Sequence, residues 1–345
     1  MQKETSFADK LSGFSRMMKK YNKFLLLILV IALLVLPNLG FKPSAIRIMV
    51  RILLYATLAG ALNMINGYSG QTCIGFAGFF SVGSFITAIL STRFDVIPYP
   101  VLMLLSGIGA AIFGAMVALP TLKLKGVYLS FVTIGASELI RIVAYNWTDL
   151  TGGAFGIKNI PAPTIFGLEI NRPIRYYYFC LFVLIVFLFV SNRVLKSRVG
   201  RAWMSIREDQ LASKSLAIST SQYKVINFCY GAFWAGVCGA MYAPYLRYID
   251  SSIFDMDECF NILSMVIIGG QATLIGPILG AALVTLLTEA LRFLNEWRFV
   301  LYAVLIIAMM WLRPQGLAGA SDSILAGKTV RRRKKIQKSS GKGAA

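Results

Sequence analysis

The chain of 345 residues contains no histidine. That removes the commonest general base and metal ligand, and imidazole chemistry is excluded outright. Acidic residues are also scarce: 15 Asp and Glu stand against 35 Lys and Arg, a formal net charge of +20. Charged residues make up only 14% of the sequence and hydrophobic ones 57%, a balance far too apolar for a soluble domain. The five cysteines (Cys73, Cys180, Cys229, Cys238 and Cys259) fall in or beside apolar runs and form no CxxC pair. They read as reduced packing residues, not as metal ligands or disulfides. A basic excess can signal nucleic acid. Here the basic residues gather at the N-terminus, in the 193–224 segment and in the tail, as membrane orientation predicts, so no nucleic-acid partner is expected.

With mean hydropathy at +0.68, the chain holds several runs long enough to cross a bilayer. The fold class is therefore all-α, a polytopic integral membrane protein. Candidate spans are 24–41, 44–66, 72–92, 98–120, 126–146, 174–192, 224–246, 259–291 and 298–313. The first continues through Pro37 to Phe41 and is followed at once by another span, so it reads as a retained helix, not a cleaved signal. Gly269, Gly270, Gly276 and Pro277 interrupt the eighth run. A crossing helix needs only about 20 residues, so this run predicts a hairpin of two shorter helices and brings the total to about ten crossings.

Ten crossings put Lys3 to Lys23, Lys123 and Lys125, Arg193 to Arg201, and Arg331 to Lys335 on one side, which the positive-inside rule makes cytoplasmic. Both termini then lie in the cytoplasm. The chain divides into a basic segment 1–23, a transmembrane domain 24–315 with a cytoplasmic loop 193–223, and a basic tail 316–345. The outer side receives Asp250, Asp255, Asp257 and Glu258 and the long loop 147–173. One cluster disagrees: Lys42, Arg47 and Arg51 fall on the outer side, where they snorkel or face the protein interior.

Four constellations carry the functional reading. Between Gly60 and Leu90, small residues recur at Gly67, Gly70, Gly75, Gly78 and Gly83, with Asn63, Asn66 and Gln71 beside the break. This is either a discontinuous helix lining a route through the membrane or close helix packing with a polar connection. Glu138 and Arg141 share one helical face at i, i+3, as a structural ion pair or as part of a solute route. Thr151, Gly152, Gly153 and Gly156 form a turn-rich outer loop, either a docking surface for an extracytoplasmic partner or a connector. Finally, GRAWMSIREDQLASKSLAIS, Gly200 to Ser219, is a polar, helix-favouring stretch between apolar blocks. Trp203, Ile206, Leu211 and Leu216 offer apolar contacts while Arg201, Arg207, Glu208, Asp209 and Lys214 stay solvated. It predicts one surface helix that lies on the membrane or fits a groove on a cytosolic partner.

Four blocks in this order, LNMINGYSGQTCIGFAGFFSVGSF, LKLKGVYLSFVTIGASELIRIV with NWTDLTGG, GRAWMSIREDQLASKSLAIS with YKVINFCYGAFWAGVCGAMYA, and MVIIGGQATLIGPILGAAL with RPQGLAG, resemble the branched-chain amino-acid ABC transporter permease family, LivM type. The resemblance covers roughly residues 50 to 319. It implies a membrane subunit, itself no enzyme, that pairs with a second similar permease, rests on two cytosolic ATPases and receives solute from an extracytoplasmic binding protein. Gly200, Arg201, Ile206, Arg207, Glu208, Asp209, Ala212, Leu216 and Ile218 then fall in a coupling helix that contacts the ATPases. Asn63, Gly67, Gly70, Gln71, Gly75, Glu138, Arg141, Gly269, Gly270, Gly276 and Pro277 fall along the translocation pathway, and Thr151, Gly152 and Gly153 at the binding-protein side. The implied location is a bacterial inner membrane, and the implied solutes are leucine, isoleucine and valine, with other amino acids, urea or short amides as alternatives.

Family members often carry a histidine near the position of Phe76, so a role for that side chain does not carry over. Gly327, Lys328 and Thr329 spell the end of a phosphate-binding loop, but Asp322 stands where its first glycine belongs and no strand precedes it. No cofactor is expected on this chain; ATP and Mg belong to the partner subunits. The basic extension after Gly319 lies outside the resemblance and reads as a flexible tail or a contact to anionic membrane lipid. An ion-coupled secondary transporter is the rival class, with Glu138 its only obvious acid, already neighboured by Arg141. A non-transporting scaffold leaves the Gly-rich breaks unexplained.

Overall fold

A computed structural model describes residues 42–290 except Asp95, Val96, Lys123, Lys125, Phe166 and Gly167, together with Val304, Ile307 and Gly316–Ala318. The spans expected at 24–41 and 298–313, the segment 1–23, the tail beyond Ala318 and the Gly327–Thr329 motif lie outside the described residues. The helices longer than one turn are α1 (Pro43–Asn63), α2 (Phe76–Arg93), α3 (Tyr99–Thr121), α4 (Val127–Asn146), α5 (Pro173–Lys196), α6 (Arg198–Glu208), α7 (Gln210–Ser215), α8 (Thr220–Leu246), α9 (Met256–Gly269) and α10 (Gly276–Ala290). Short strands β1 (Ile157–Lys158) and β4 (Tyr248–Ile249) pair antiparallel, as do β2 (Thr164–Ile165) and β3 (Leu168–Glu169).

Among the described residues six helices are long and apolar enough to span a membrane: α1 with its extension, α2, α3, α4, α5 and α8. Proline stands in the first turn of α1, α3 and α5, where its missing N–H costs nothing. The expected break in the 259–291 run is present. α9 ends at Gly269, Gly270 takes φ 111°, and α10 restarts at Gly276.

Helix α8 is the axis of the bundle, packed on α2 and α3 through residues without bulk. A Cβ on Gly236 would lie 2.4 Å from Ser106 O, and one on Gly239 2.5 Å from Phe80 O, so backbones touch where side chains would hold them apart. Pro244 inside α8 removes the N–H that the Ala240 carbonyl needs. The Tyr99 hydroxyl replaces it, donating to Ala240 O at 2.8 Å, and the Tyr176 hydroxyl donates to Met241 O. A proline bend thus becomes the place where α3 and α5 are pinned to α8. α1, α2 and α8 are largely enclosed, while α3, α4 and α5 present apolar faces outward.

The 193–223 loop differs from the single helix expected. Two helices form because Asp209 leaves helical geometry (φ −154°, ψ 115°) and caps the second, its Oδ1 accepting from Leu211 N at 2.7 Å and Ala212 N at 3.1 Å. The result is an elbow at one end of the bundle. The 147–172 and 247–255 loops lie at the other end, joined by the β1–β4 pair.

Candidate functional site

The elbow is anchored by part of its apolar set and shows the rest. Trp203 is fully buried; its Nε1 donates to Tyr223 O at 2.9 Å and its ring meets Tyr230 at 5.9 Å. Ile206 is buried too, and Gly200 lets α6 close on the end of α5, where a Cβ would lie 2.4 Å from Leu195 Cα. Leu211 and Leu216 are 70% and 73% exposed. Two large aliphatic side chains held out on a capped helix and its exit are free to enter a groove. Arg201, Glu208, Asp209 and Ala212 are exposed beside them, and Ile218 is half-buried.

Arg207 is exposed as well, but its stem lies against the bundle. It packs over Gly70, whose φ of +68° favours glycine, and a Cβ there would lie 3.0 Å from Arg207 Cγ. Gly70 sits in the break between α1 and α2. α1 runs into a single π turn, Met64–Tyr68, and the chain is then non-helical until Phe76. Every polar side chain in this break is used. Asn66 closes a reciprocal loop, its Nδ2 donating to Cys73 O at 2.9 Å and its Oδ1 accepting from Cys73 N at 3.0 Å. Gln71 Nε2 donates to Ser69 Oγ at 2.8 Å and Asn227 Oδ1 at 3.3 Å, and Asn227 Nδ2 donates to Met64 O at 3.0 Å. Gly75 lies against α4, where a Cβ would fall 1.8 Å from Thr133 O.

The break also holds the α9–α10 turn. Asn63, buried at the end of α1, accepts from Ala272 N at 2.9 Å and donates to Thr273 O at 2.7 Å. Gly67 leaves room for this clamp, since a Cβ there would lie 2.1 Å from Asn63 Oδ1 and 2.5 Å from Ala272 N. Within the turn, Gly269 faces Gly276 O at 2.1 Å from a notional Cβ, and Pro277 is buried at the start of α10. The RPQGLAG block returns to the same place: Leu317 N donates to Ile268 O and Ala318 N to Gly269 O, each at 2.9 Å. The resemblance pairs that block with the one holding the turn, but no residue pattern in the sequence shows that the two touch. The contact runs through backbone groups, which carry no residue signature.

Glu138 and Arg141 form the pair their spacing predicted. Arg141 Nε donates to both carboxylate oxygens, at 2.8 and 2.9 Å, and Nη2 closes a third contact. They sit on the outward face of α4, apart from the elbow and the break, beside an apolar groove of about 900 Å³ lined by Phe113, Met116, Val132 and Leu139 among others. At the opposite end, Thr151 is buried with its hydroxyl 2.6 Å from Ala144 O and Trp147 O, and Gly152 and Gly153 hold φ of +76° and +57°. These three residues shape the turn from within.

The described residues thus form a multi-pass α-helical bundle of the membrane-protein class, with an exposed helical elbow seated on a glycine-rich break. The chain matches the family of the branched-chain amino acid transport system / permease component over residues 44–310, and it belongs to that ABC permease family. It is 32% identical over 321 residues to the high-affinity branched-chain amino acid transport system permease protein LivM of Salmonella typhimurium, covering 86% of this chain and 75% of that one. LivM of Escherichia coli K12 is 33% identical over 288 residues, 77% of this chain and 68% of the relative. A more distant likeness, 25% over 201 residues (56% and 54%), is to the autoinducer 2 import system permease protein LsrC of Salmonella typhi. No solved structure matches the chain.

Proposed function

We propose that this chain is one of two membrane subunits of an ABC importer that carries leucine, isoleucine and valine inward across a bacterial inner membrane. ATP is hydrolysed with Mg on two cytosolic ATPases, and solute arrives from an extracytoplasmic binding protein. The elbow end and both termini are cytoplasmic. The observation that carries this reading is the seating of Arg207 on Gly70, which joins an exposed docking elbow to the break that clamps the α9–α10 turn. Closure of the ATPases displaces the elbow as a rigid lever. The displacement passes through Gly70 and Asn63 to the turn, and the route between the two permeases changes the side to which it opens. This subunit supplies no covalent chemistry.

In this scheme Leu211 and Leu216 fill a groove on the ATPase, with Arg201, Glu208, Asp209 and Ala212 at its rim, while Gly200 and Ile206 hold the elbow to the bundle. Gly269, Gly270, Gly276 and Pro277 form the moving turn beside the solute route, with Gly67, Gln71 and Gly75 keeping the facing break in register. Glu138 and Arg141 flank the route where the two permeases meet. The LsrC likeness keeps a second solute class open on the same scaffold.

The test is uptake of labelled leucine into proteoliposomes holding the complete importer and its binding protein. ATP-dependent uptake is expected, and Leu211→Asp with Leu216→Asp is expected to abolish it while both permeases still co-purify. Leucine uptake that persists without ATP, or in the double variant, overturns the scheme. Transport of urea or another solute with no leucine uptake overturns the solute assignment alone.

A further inference from the structure

At the end of the bundle opposite the elbow, three arginines from separate elements meet around one cavity. Arg47 lies near the start of α1, Arg172 immediately precedes α5, and Arg247 follows the last turn of α8 in left-handed geometry with φ 60°. With Asn171, Tyr176 and Tyr245 they line a cavity of about 130 Å³. The frame is built. Tyr245 donates its hydroxyl to Arg47 O at 3.1 Å, Arg247 N donates to Ala243 O at 3.0 Å, and the Arg247 guanidinium donates to Asn171 Oδ1.

All three residues are exposed, and among the described residues none of them has a carboxylate within 4.0 Å; the ion pairs there are Arg51–Glu289 and Arg141–Glu138. Three uncompensated guanidinium groups around one small cavity raise the local positive potential and favour an oxyanion. Their place is also unexpected, because the orientation rule concentrates basic residues at the elbow end. Arg47 belongs to the cluster that the charge pattern left unexplained. One wall of the cavity, Ala162 and Ile170–Arg172, is loop and not membrane helix. The planar fork of arginine matches a carboxylate in bidentate fashion.

We propose that this arginine cavity receives acidic side chains of the solute-binding protein, and that it, not the internally bonded turn Thr151–Gly153, is the electrostatic part of the docking surface. The proposal rests on the importer reading above, which puts the ATPases at the elbow end and solute delivery at this one.

The complete importer in phosphatidylcholine nanodiscs, titrated with its own purified, leucine-loaded binding protein in low salt, gives the dissociation constant. Arg172→Glu with Arg247→Glu is expected to weaken docking at least about tenfold, as like charges across an interface do. Arg172→Lys with Arg247→Lys, which keeps the charge but not the fork, is expected to lose less than the Glu pair, and Lys158→Glu, exposed on β1 at the same end, to lose far less than either. If the Glu pair does not assemble, Arg172→Gln with Arg247→Gln is read instead, with a smaller loss expected. Unchanged docking in the assembled pair, or an equal loss in Lys158→Glu, overturns the proposal. So does a loss that appears only in discs containing phosphatidylglycerol, which assigns the cavity to a lipid headgroup. Failure of the unaltered importer to bind its binding protein in any disc defeats the importer reading; binding with a silent double reversal defeats this inference alone.

Discussion

Asn63→Ala tests the clamp between the break and the α9–α10 turn. The side chain is 1% exposed and makes two hydrogen bonds to backbone more than 200 residues away, to Ala272 N and Thr273 O. Truncation strips one half-buried donor and one half-buried acceptor of these bonds, at up to about 1–3 kcal/mol each where water does not replace the lost partner. Partial relaxation of the turn brings the expected cost to about 2–4 kcal/mol. Since Leu317 and Ala318 also hold the turn, through Ile268 O and Gly269 O, the variant should still fold and loosen only locally. Two measurements follow: the thermal midpoint of the purified importer, and leucine moved per ATP hydrolysed in proteoliposomes. The midpoint is expected to fall, and leucine per ATP to fall further, because in the proposed scheme the elbow then moves without carrying the turn. Asn63→Asp keeps an acceptor for Ala272 N but loses the donor to Thr273 O, so it should not restore coupling. An Asn63→Ala importer with unaltered midpoint and unaltered leucine per ATP refutes the reasoning.

Two further changes probe the supports of this linkage. Gly75→Ala puts a methyl 1.8 Å from the Thr133 carbonyl, a backbone atom that cannot swing aside, so α2 and α4 must separate at a cost at or above the usual 1–3 kcal/mol of overpacking, about the upper end. Size-exclusion of the fluorescently tagged chain should show loss of the assembled species, and a normal profile contradicts the packing. Trp203→Ala empties a fully buried site and removes the bond to Tyr223 O, about 3–5 kcal/mol for a large aromatic. Limited trypsinolysis at Arg201 and Arg207 should then accelerate severalfold, whereas an unchanged cleavage rate means that the elbow is held by something else.

Much of this architecture was legible in the sequence because apolar length and glycine placement act locally. The spans at 98–120 and 126–146 emerge as Tyr99–Thr121 and Val127–Asn146, and Gly269, Gly270, Gly276 and Pro277 mark the hairpin break where it lies. Glu138 and Arg141 were legible as a pair for the same reason, since i, i+3 spacing fixes proximity on a helix. What escaped depends on partners far along the chain. Asn63 and Gln71 announced hydrogen-bonding capacity at a break, but whether that capacity faced a solute or Ala272 and Asn227 is decided by tertiary packing. In the elbow, Trp203 and Leu211 carried equal apolar weight, yet one is enclosed and the other 70% exposed. The division at Asp209 decides which is which. That residue was read as a solvated charge, while its capping role needed the backbone geometry to be seen.

The placement of Arg207 bears on how movement can travel at all. A long, flexible cationic side chain is a poor lever by itself. At Gly70, however, the stem of Arg207 lies alongside the break: its Cα and Cβ are each 3.4 Å from where a Cβ on Gly70 would sit, so the backbone of the elbow, and not only the guanidinium, borders the break. Gly70 also lies in the stretch between α1 and α2 that helical hydrogen bonds do not stiffen, which can pivot as a unit about φ and ψ at its ends. Stiff helices flank it and the Asn63 clamp lies one π turn away. In the proposed scheme a displacement of the elbow thus has a short path of neighbouring contacts, Arg207 to Gly70 and Asn63 to Ala272, towards the α9–α10 turn. This makes the glycine at position 70 valuable twice over, for the left-handed turn it permits and for the closeness of the lever it admits.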